Sequence, residues 1–246
     1  MRIHQLIAIG LGAGVSAVAP PTAAQAPAPV PLAGEPRHHV VYESASARIH
    51  DIQIPPGDTT LFHTHDTAIL YVPIARSTTR SQALGEEWSG GGAAPPPPAA
   101  AVPTPERPRP AYSVTTYVEK PYTHRVNNVG TSLFRLIGIA NRTAGANGAA
   151  DDVSKLSTKP EVENNWYRAH RVVIRPGASS PAHTHAVPVV VVMQTAGTVA
   201  SESPAWQPIN GPGDYAWHTG PGAHVLHNRG TGEVELVEVE VRGATP

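Results

Sequence analysis

The stretch "SSPAHTHAVPVVVV" at residues 179–192 sets two histidines one residue apart, directly ahead of a run of valines. The stretch "TTLFHTHDTAILYV" at residues 59–72 carries the same His-Thr-His tripeptide in the same setting. In a β-strand, residues i and i+2 point to one face, so each tripeptide aims two imidazoles in one direction, about 7 Å apart along the strand. An apolar core does not require that arrangement, whereas a bound metal ion does.

The rest of the chain shows that these stretches belong to two copies of one unit. Residues 48–72 align with residues 168–192 at an offset of 120, and residues 117–139 align with residues 217–239 at an offset of 100. The matched pairs include His50/His170, His63/His183, His65/His185, His124/His224 and Asn128/Asn228. The change of offset means that the first copy holds about twenty additional residues, and internal repetition of this kind indicates two domains of similar fold.

The additional residues form a Gly-rich and then Pro-rich run at 86–110, which we interpret as an insertion outside the strand ladders because proline has no N–H to donate. The sequence therefore predicts four parts. They are a signal peptide at 1–26, an N-terminal domain at 36–141 that contains the insertion, a linker at 142–162 and a C-terminal domain at 163–243.

Composition narrows the class of protein. The 246 residues include no cysteine, which excludes disulfides, thiolate metal sites and cysteine nucleophiles. The formal net charge of −1 gives no electrostatic footprint for nucleic acid. Short Val/Ile-rich runs between Pro/Gly turns predict an all-β fold.

The N-terminus has the pattern of a secretory signal. Arg2 precedes an apolar stretch at residues 6–19, and small residues follow, with cleavage expected after Ala24 or Ala26. We expect an exported protein, periplasmic or secreted, with no membrane association after cleavage. An uncleaved membrane anchor is the alternative, although the apolar stretch is short for a span.

Each copy supplies three candidate metal ligands. His63 and His65 of the first copy, and His183 and His185 of the second, need a third ligand from elsewhere in their domain. His124 and His224 recur at matching places and are the candidates. Three imidazoles leave coordination positions open for water or substrate, as catalytic metal sites require.

These residues resemble the cupin superfamily, and specifically its two-domain members, the bicupins. The first cupin motif reads Gly, five residues, His-x-His, three or four residues, Glu, six residues, Gly; the second contains a His followed by an Asn four positions later. The chain matches the first motif at Gly57, His63 and His65 and again at Gly177, His183, His185 and Gly197, and the second at His124/Asn128 and Gly213/His224/Asn228. The resemblance implies two tandem jelly-roll β-barrels with the histidines near each barrel mouth, and it gives a homodimer as an expectation.

The chain departs from the family pattern at the motif glutamate. Its place holds Leu70 in the first copy and Val190 in the second, neither of which can bind a metal. Strand alternation points Asp66 away from the site, whereas Gln194 shares the parity of the empty place and is a weaker candidate ligand.

The resemblance and the missing glutamate together imply a function. Some cupin dioxygenases use a three-histidine iron site, and three neutral ligands leave the ion's charge to be balanced by an anionic, chelating substrate. The leading hypothesis is a dioxygenase with Fe²⁺ on His183, His185 and His224, and with a catalytic or structural second site on the other three histidines. Zn²⁺, Mn²⁺, Ni²⁺ or Cu²⁺ would suit the same ligands. The alternatives are a non-catalytic protein that binds a small molecule or a metal, and a metal-assisted isomerase or lyase.

The remaining histidines and aromatic residues carry weaker signals. His50 and His170 are expected at exposed strand positions, with lining of the pocket as the alternative, and His218 and His227 are expected not to be ligands. Tyr71, Tyr117 and Trp217 are interpreted as barrel packing rather than as catalytic groups.

Overall fold

A computed structural model of the chain describes residues 28–92, 108–146, 156, 158–201, 206 and 208–243. The described residues form nineteen β-strands and two 3₁₀ turns, η1 (Leu32–Gly34) and η2 (Thr116–Val118). The expected signal peptide at 1–26 and the proline-rich centre of the insertion, residues 93–107, lie outside the described residues. Within the described part, neither helical turn has the length and apolar character needed to cross a membrane.

The N-terminal barrel consists of two five-stranded sheets, with strand orders β1-β4-β9-β6-β7 and β2-β3-β10-β5-β8. All neighbouring strands in them are antiparallel except β1 and β4, which are parallel. The strands are β1 (Val30–Pro31), β2 (His38–Glu43), β3 (Ala47–Ile54), β4 (His63–His65), β5 (Ile69–Ala75), β6 (Thr79–Ala83), β7 (Ser89–Gly90), β8 (Tyr112–Val114), β9 (Tyr122–Asn128) and β10 (Phe134–Asn141).

The C-terminal barrel repeats this plan, but several strands of its smaller sheets are shorter than their N-terminal counterparts. Its large sheet has the order β11-β12-β19-β14-β16, and two-stranded sheets β13-β17 and β15-β18 close the other side. The strands are β11 (Val162–Glu163), β12 (Tyr167–Ile174), β13 (His183–His185), β14 (Val189–Met193), β15 (Val199–Ser201), β16 (Tyr215–His218), β17 (Gly222–His224), β18 (Leu226–Asn228) and β19 (Val234–Val241).

The start of the insertion departs from the expectation that it stays outside the ladders. Ser89–Gly90 forms β7 and pairs with β6. Just before it, the guanidinium groups of Arg80 and Arg125 lie over the ring of Trp88, 4.5 and 4.8 Å from its centroid. Serine and glycine keep the backbone N–H that proline lacks, so this part of the insertion can extend a sheet.

Strand alternation divides the apolar side chains between the barrel interiors and one shared core. In β5, Ile69 and Tyr71 face the interior of the N-terminal barrel, whereas Leu70 and Val72 pack in a cluster that also includes Val190 of the C-terminal barrel. The two large sheets therefore pack face to face through one continuous apolar layer. The all-β fold and the two tandem jelly-roll barrels expected from the sequence are confirmed.

Candidate metal centres

In both barrels the third histidine lies directly across the ladder from the His-x-His strand. β4 pairs with β9 so that His63 is opposite His124, and β13 pairs with β17 so that His183 is opposite His224. Cβ atoms of directly opposed residues lie about 5 Å apart in an antiparallel pair. The ladder therefore brings the three imidazoles of each barrel to one place.

The turn before each tripeptide is fixed by the matched glycine and asparagine. Gly57 has a φ of +79° and Gly177 a φ of +68°, a left-handed conformation that favours glycine. The N–H of each glycine donates to the backbone carbonyl of Asn128 or Asn228, at 2.8 and 3.1 Å. These backbone contacts tie the His-x-His segment to the strand that carries the third histidine. The asparagine recurs because its side-chain amide donates to two backbone carbonyls, those of Ile54 and Ser132 from Asn128 and those of Ile174 and Gly232 from Asn228.

The N-terminal group consists of His63, His65 and His124, with one ring nitrogen from each lying within 4.8 Å of the other two. The Nε2 atoms of His65 and His124 are 3.0 Å apart. Nε2 of His63 is buried and has no hydrogen-bond partner. The other nitrogen of each ring contacts an oxygen: His63 Nδ1 the Leu61 carbonyl at 2.9 Å, His124 Nδ1 the Ser81 hydroxyl at 3.0 Å, and His65 Nδ1 the Tyr71 hydroxyl at 3.5 Å. Such contacts orient the rings with Nε2 towards a shared centre.

Burial keeps these three imidazoles uncharged. Desolvation, followed by the proximity of other histidines, lowers the pKa of His63 to about 4, of His65 to about 2 and of His124 to about 3. A neutral imidazole is the form that binds a metal. At neutral pH the N-terminal group is therefore ready to accept a cation without first releasing protons.

The C-terminal group has a fourth member that the sequence analysis missed. His183, His185 and His224 gather around the carboxylate of Glu238, whose Oε2 lies 2.8, 3.0 and 3.0 Å from their Nε2 atoms. All four side chains are at most 1% exposed. The motif glutamate is therefore absent from its usual place, but a carboxylate reaches the centre from β19.

Two carboxylates control protonation in the C-terminal group. Burial opposes ionisation of Glu238, but hydrogen bonds with the three histidines outweigh it and hold the pKa of that carboxyl well below its usual range. Burial also opposes a charge on His185, yet its contacts with Glu238 and Glu240 raise its pKa to about 9. Glu240 Oε1 lies 2.8 Å from His185 Nδ1, opposite the side that faces the centre, and so orients the ring.

A sequence signal for Glu238 exists in the alternation of β19. In "VELVEVEV" (234–241), Val237, Val239 and Val241 face the core between the barrels. The intervening Glu238 and Glu240 therefore face the barrel interior, and a carboxylate on an interior face needs a partner such as a metal or a histidine. The matching strand of the N-terminal barrel places Gly138 and Ala140 at the corresponding positions.

Both groups fit a divalent metal ion. Metal–nitrogen bonds of about 2.1 Å at a tetrahedral angle separate two ligand nitrogens by about 3.4 Å. The Nε2 atoms of His65 and His124 are 3.0 Å apart, those of His183 and His224 are 2.7 Å apart, and the ligand atoms of each group all lie within 4.8 Å of one another. In each group a buried polar atom is left without a hydrogen-bond partner, Nε2 of His63 in one and Oε1 of Glu238 in the other. Buried atoms of this kind are costly unless a ligand satisfies them. Imidazole with or without one carboxylate suits Zn, Fe, Ni, Cu and Mn.

A cavity of about 200 Å³ opens on the N-terminal histidines. Its walls are mainly apolar and aromatic, and they include Ile52, Tyr71, Tyr117, Phe134 and Leu136. The ring of Tyr117 lies 4.9 Å from that of His65. Tyr71 and Tyr117, interpreted from sequence as packing residues, therefore line the space next to the candidate metal position.

The residues weighed as replacements for the motif glutamate lie elsewhere. Leu70 and Val190 belong to the core between the barrels, so their place faces away from both metal groups. Gln194 shares that parity: its amide donates to the carbonyls of Pro73 and Arg109, which rules it out as a ligand in this arrangement. Asp66 is exposed, as its parity predicted.

The other histidines divide into buried and surface residues. The expectation that His50 and His170 are exposed is wrong: both are buried, at 0% and 4%, because their side chains face the barrel interiors. His218 lies beside His224 with ring centroids 5.6 Å apart but is outside the metal group, and His227 bonds to the Ser179 hydroxyl. Trp217 packs against Tyr42 across the barrels.

Comparison with known proteins gives relatives by structure alone. No family model and no curated protein matches the sequence. AerE from Microcystis aeruginosa is similar with a TM-score of 0.52 at 10% identity, covering 84% of this chain and 98% of that one. YhhW from Escherichia coli gives 0.51 at 15% identity over 82% and 84%. The oxalate decarboxylase of Lactobacillus farciminis, solved as a formate complex, gives 0.50 at 12% identity over 84% of each chain.

These similarities extend along both halves of the chain, and identities of this size establish fold rather than activity. They agree with the two barrels of paired sheets described above. The fold of this chain is that of the cupin superfamily, in its two-barrel form.

Proposed function

We propose that the chain is a metal-dependent dioxygenase whose reaction takes place in the N-terminal barrel, on a small anionic substrate that chelates the metal. The C-terminal barrel would hold a second metal ion with a structural role. The observation that carries this assignment is the difference between the two centres. A carboxylate fills the C-terminal group, whereas a cavity faces the N-terminal one. The sequence had favoured the C-terminal histidines for the reaction, and the structure supports the reverse order.

Charge balance gives the substrate class. Three neutral imidazoles leave a divalent ion in the N-terminal barrel with its full charge, next to apolar walls where an unpaired charge is costly. In the C-terminal barrel the Glu238 carboxylate supplies the compensating charge. A substrate carboxylate or enolate would take the equivalent role in the N-terminal barrel, so binding of an anion is favoured there.

The surroundings of the N-terminal group suit oxygen chemistry. Bound Fe²⁺ would supply the capacity to activate O₂, and three protein ligands leave positions for both substrate and O₂. The chain's own residues fix the histidine rings through Leu61 and Ser81, while Tyr71, Tyr117 and Phe134 exclude bulk water from the substrate. Cupin dioxygenases with three-histidine iron sites support this assignment by resemblance.

The test compares two matched double variants, His63→Ala/His65→Ala and His183→Ala/His185→Ala. Metal content is measured by mass spectrometry, and oxygen uptake is followed with thiols, diketones and phenolic acids as substrates. We expect each variant to lose one equivalent of metal, with uptake abolished in the first and retained by the folded fraction of the second. Oxygen uptake that survives in the first variant and disappears in a folded second variant would show that the reaction takes place in the C-terminal barrel, contrary to the proposal. Stoichiometric metal without any turnover would favour the non-catalytic binding protein.

A further inference from the structure

A fourth histidine, His38, lines the N-terminal cavity without belonging to the metal group. It is the first residue of β2, is 5% exposed, and its ring centroid lies 4.5 Å from that of His63. His38 has no histidine counterpart in the other copy, because the offset of 120 places Thr158 there. The backbone carbonyls of His38 and Thr158 both lie near Nδ1 of the matched histidines His50 and His170, which supports this alignment.

The orientation of His38 is fixed by Glu35. Nδ1 of His38 lies 2.6 Å from Oε2 of Glu35, a carboxylate that is itself 3% exposed. The same carboxylate accepts the backbone N–H of Arg37 at 2.7 Å and that of Leu61 at 3.1 Å. With the carboxylate acting as acceptor in all these contacts, Nδ1 of His38 carries the proton that it donates. No described residue pairs with Nε2, the ring atom left to interact with an occupant of the cavity.

We propose that His38, held by Glu35, is the specificity-determining residue of the N-terminal site and that it binds a second oxygen of the ligand. This inference rests on the proposed function, in which the first, anionic group of the ligand is on the metal. The ligand class is thereby narrowed to compact, mainly apolar anions with a hydroxyl at a second position, whose O–H donates to the unprotonated Nε2 of His38. An anion with one polar end would leave Nε2 of His38 unpaired inside an apolar wall, which costs affinity.

The apolar walls of the cavity and the hydrogen bonds of Glu35 both agree with a ligand that has two polar groups. The walls contributed by Ile52, Phe134 and Leu136 are apolar and suit the body of such a molecule. Glu35 is already satisfied by two backbone N–H groups, so the contact with His38 is not needed to anchor β2 to the segment before β4. Orientation of the imidazole towards the cavity is the effect that distinguishes this pair from a purely structural contact.

The test measures ligand affinity, not turnover. The purified protein is loaded with Co²⁺, and titrations with benzoate and with the 2-, 3- and 4-hydroxybenzoates are followed by calorimetry and by the visible spectrum of the metal. We expect at least one hydroxybenzoate to bind about 10-fold more tightly than benzoate to the wild-type protein, as one additional hydrogen bond in a buried site allows. In His38→Phe that preference should fall to about one, with the metal content unchanged and with benzoate affinity no lower than in the wild-type protein, because the unpaired Nε2 is gone.

Glu35→Gln is the second variant, because it keeps the shape of the side chain and weakens its hold on the ring. It should reduce the preference without removing the metal. The role of His38 is overturned if the preference for a hydroxybenzoate persists in both variants. It is also overturned if the wild-type protein shows no such preference although benzoate shifts the cobalt spectrum. Either result leaves the proposed function standing. If none of the four carboxylates shifts the spectrum, this inference fails, and oxygen uptake with thiols and diketones decides the proposed function separately.

Discussion

Gly138 of the N-terminal barrel and Glu238 of the C-terminal barrel occupy the same position in the fold. Gly138 is the cross-strand partner of His50 on β3, and Glu238 is the cross-strand partner of His170 on β12. In the C-terminal barrel this position delivers a carboxylate to three histidines. In the N-terminal barrel it delivers no side chain, and Ile52, Ile69 and Tyr71 approach the place instead. The residue at this position thus differs between a centre that holds a carboxylate and one that faces a cavity.

Removal of the Glu238 charge should weaken the C-terminal centre. We expect Glu238→Gln to lower metal affinity there by at least about 10-fold, the effect of losing a supporting group at a metal site. A metal bound at about 1,000 times its dissociation constant stabilises a protein by about 4 kcal/mol, so full removal by a chelator should lower the melting temperature by on the order of 10 °C. Calorimetry and metal analysis check both values.

Glu235→Gln is the matched control, because Glu235 lies on the same strand but bonds to Arg171 outside the metal group. Its metal affinity should equal that of the wild-type protein. Equal affinity in the Glu238→Gln variant as well would show that this carboxylate is not a ligand.

Placing a carboxylate at position 138 should close the N-terminal site. A Cβ on Gly138 would lie 3.1 Å from Cδ1 of Ile52, so the substitution is best made as Gly138→Glu with Ile52→Ala, which frees that space. We expect the double variant to keep its metal and to lose binding of carboxylate ligands, because the new side chain supplies the charge that a ligand would otherwise bring. Titration of the Co²⁺-loaded protein with benzoate checks this, with Ile52→Ala alone as the control. Undiminished benzoate binding in the double variant, with its metal in place, would contradict the charge argument.

The fold and the six histidines were accessible from the sequence because both depend on local pattern. The two-residue period of a β-strand places His63 and His65 on one face, and His183 and His185 likewise. The repeat identifies their cross-strand partners, His124 and His224. These patterns need no knowledge of which face of a sheet meets the other barrel.

The residues that the sequence analysis misplaced or missed depend on which face of each large sheet packs against the other barrel. The parity of β5 and β14 relative to the core between the barrels decides that Leu70 and Val190 face outward, so their apolar character says nothing about the metal centres. Glu238 was overlooked because its strand lies outside both cupin motifs. His38 and Glu35 precede the repeat, and Glu35 lies one residue before the expected start of the domain. Their role appears only when β2 is seen to border the cavity.

The buried imidazole of His50 should make stability depend on pH. Desolvation, only partly offset by the His38 carbonyl, lowers its pKa to about 4, with His38 and Arg48 adding to the decrease and Glu43 opposing it. Between pH 6.5 and 4 the unfolded chain binds a proton that folded His50 does not, so the free energy of unfolding falls as the pH is lowered through this range. The loss attributable to His50 is about 3 kcal/mol at pH 4 and below.

His50→Gln should reduce the slope of this part of the profile by the contribution of one proton, whereas His63, His65 and His124, whose pKa values are also lowered, keep their share. The profile is measured by urea unfolding between pH 4 and 7 with a chelator present, so that metal release does not contribute. His39→Gln, at the exposed neighbouring position of β2, is the control. A wild-type slope in the His50→Gln variant would mean that other groups account for the acid sensitivity.

The hydroxyl of Tyr167 joins the two barrels and should contribute measurably to stability. Tyr167 lies on β12 of the C-terminal barrel and is fully buried, and its Oη is 2.7 Å from the carbonyls of both Ala68 and Ile139 in the N-terminal barrel. It also accepts the backbone N–H of Asn141 at 2.9 Å. Tyr167→Phe leaves these groups with fewer partners inside the apolar layer, and we expect a decrease of about 1–3 kcal/mol in the free energy of unfolding. Tyr215→Phe provides the comparison, because Tyr215 bonds to the Val41 carbonyl in an exposed setting where water can replace it. Equal unfolding free energies for the two variants would show that the buried hydrogen bonds of the Tyr167 hydroxyl do not stabilise the protein.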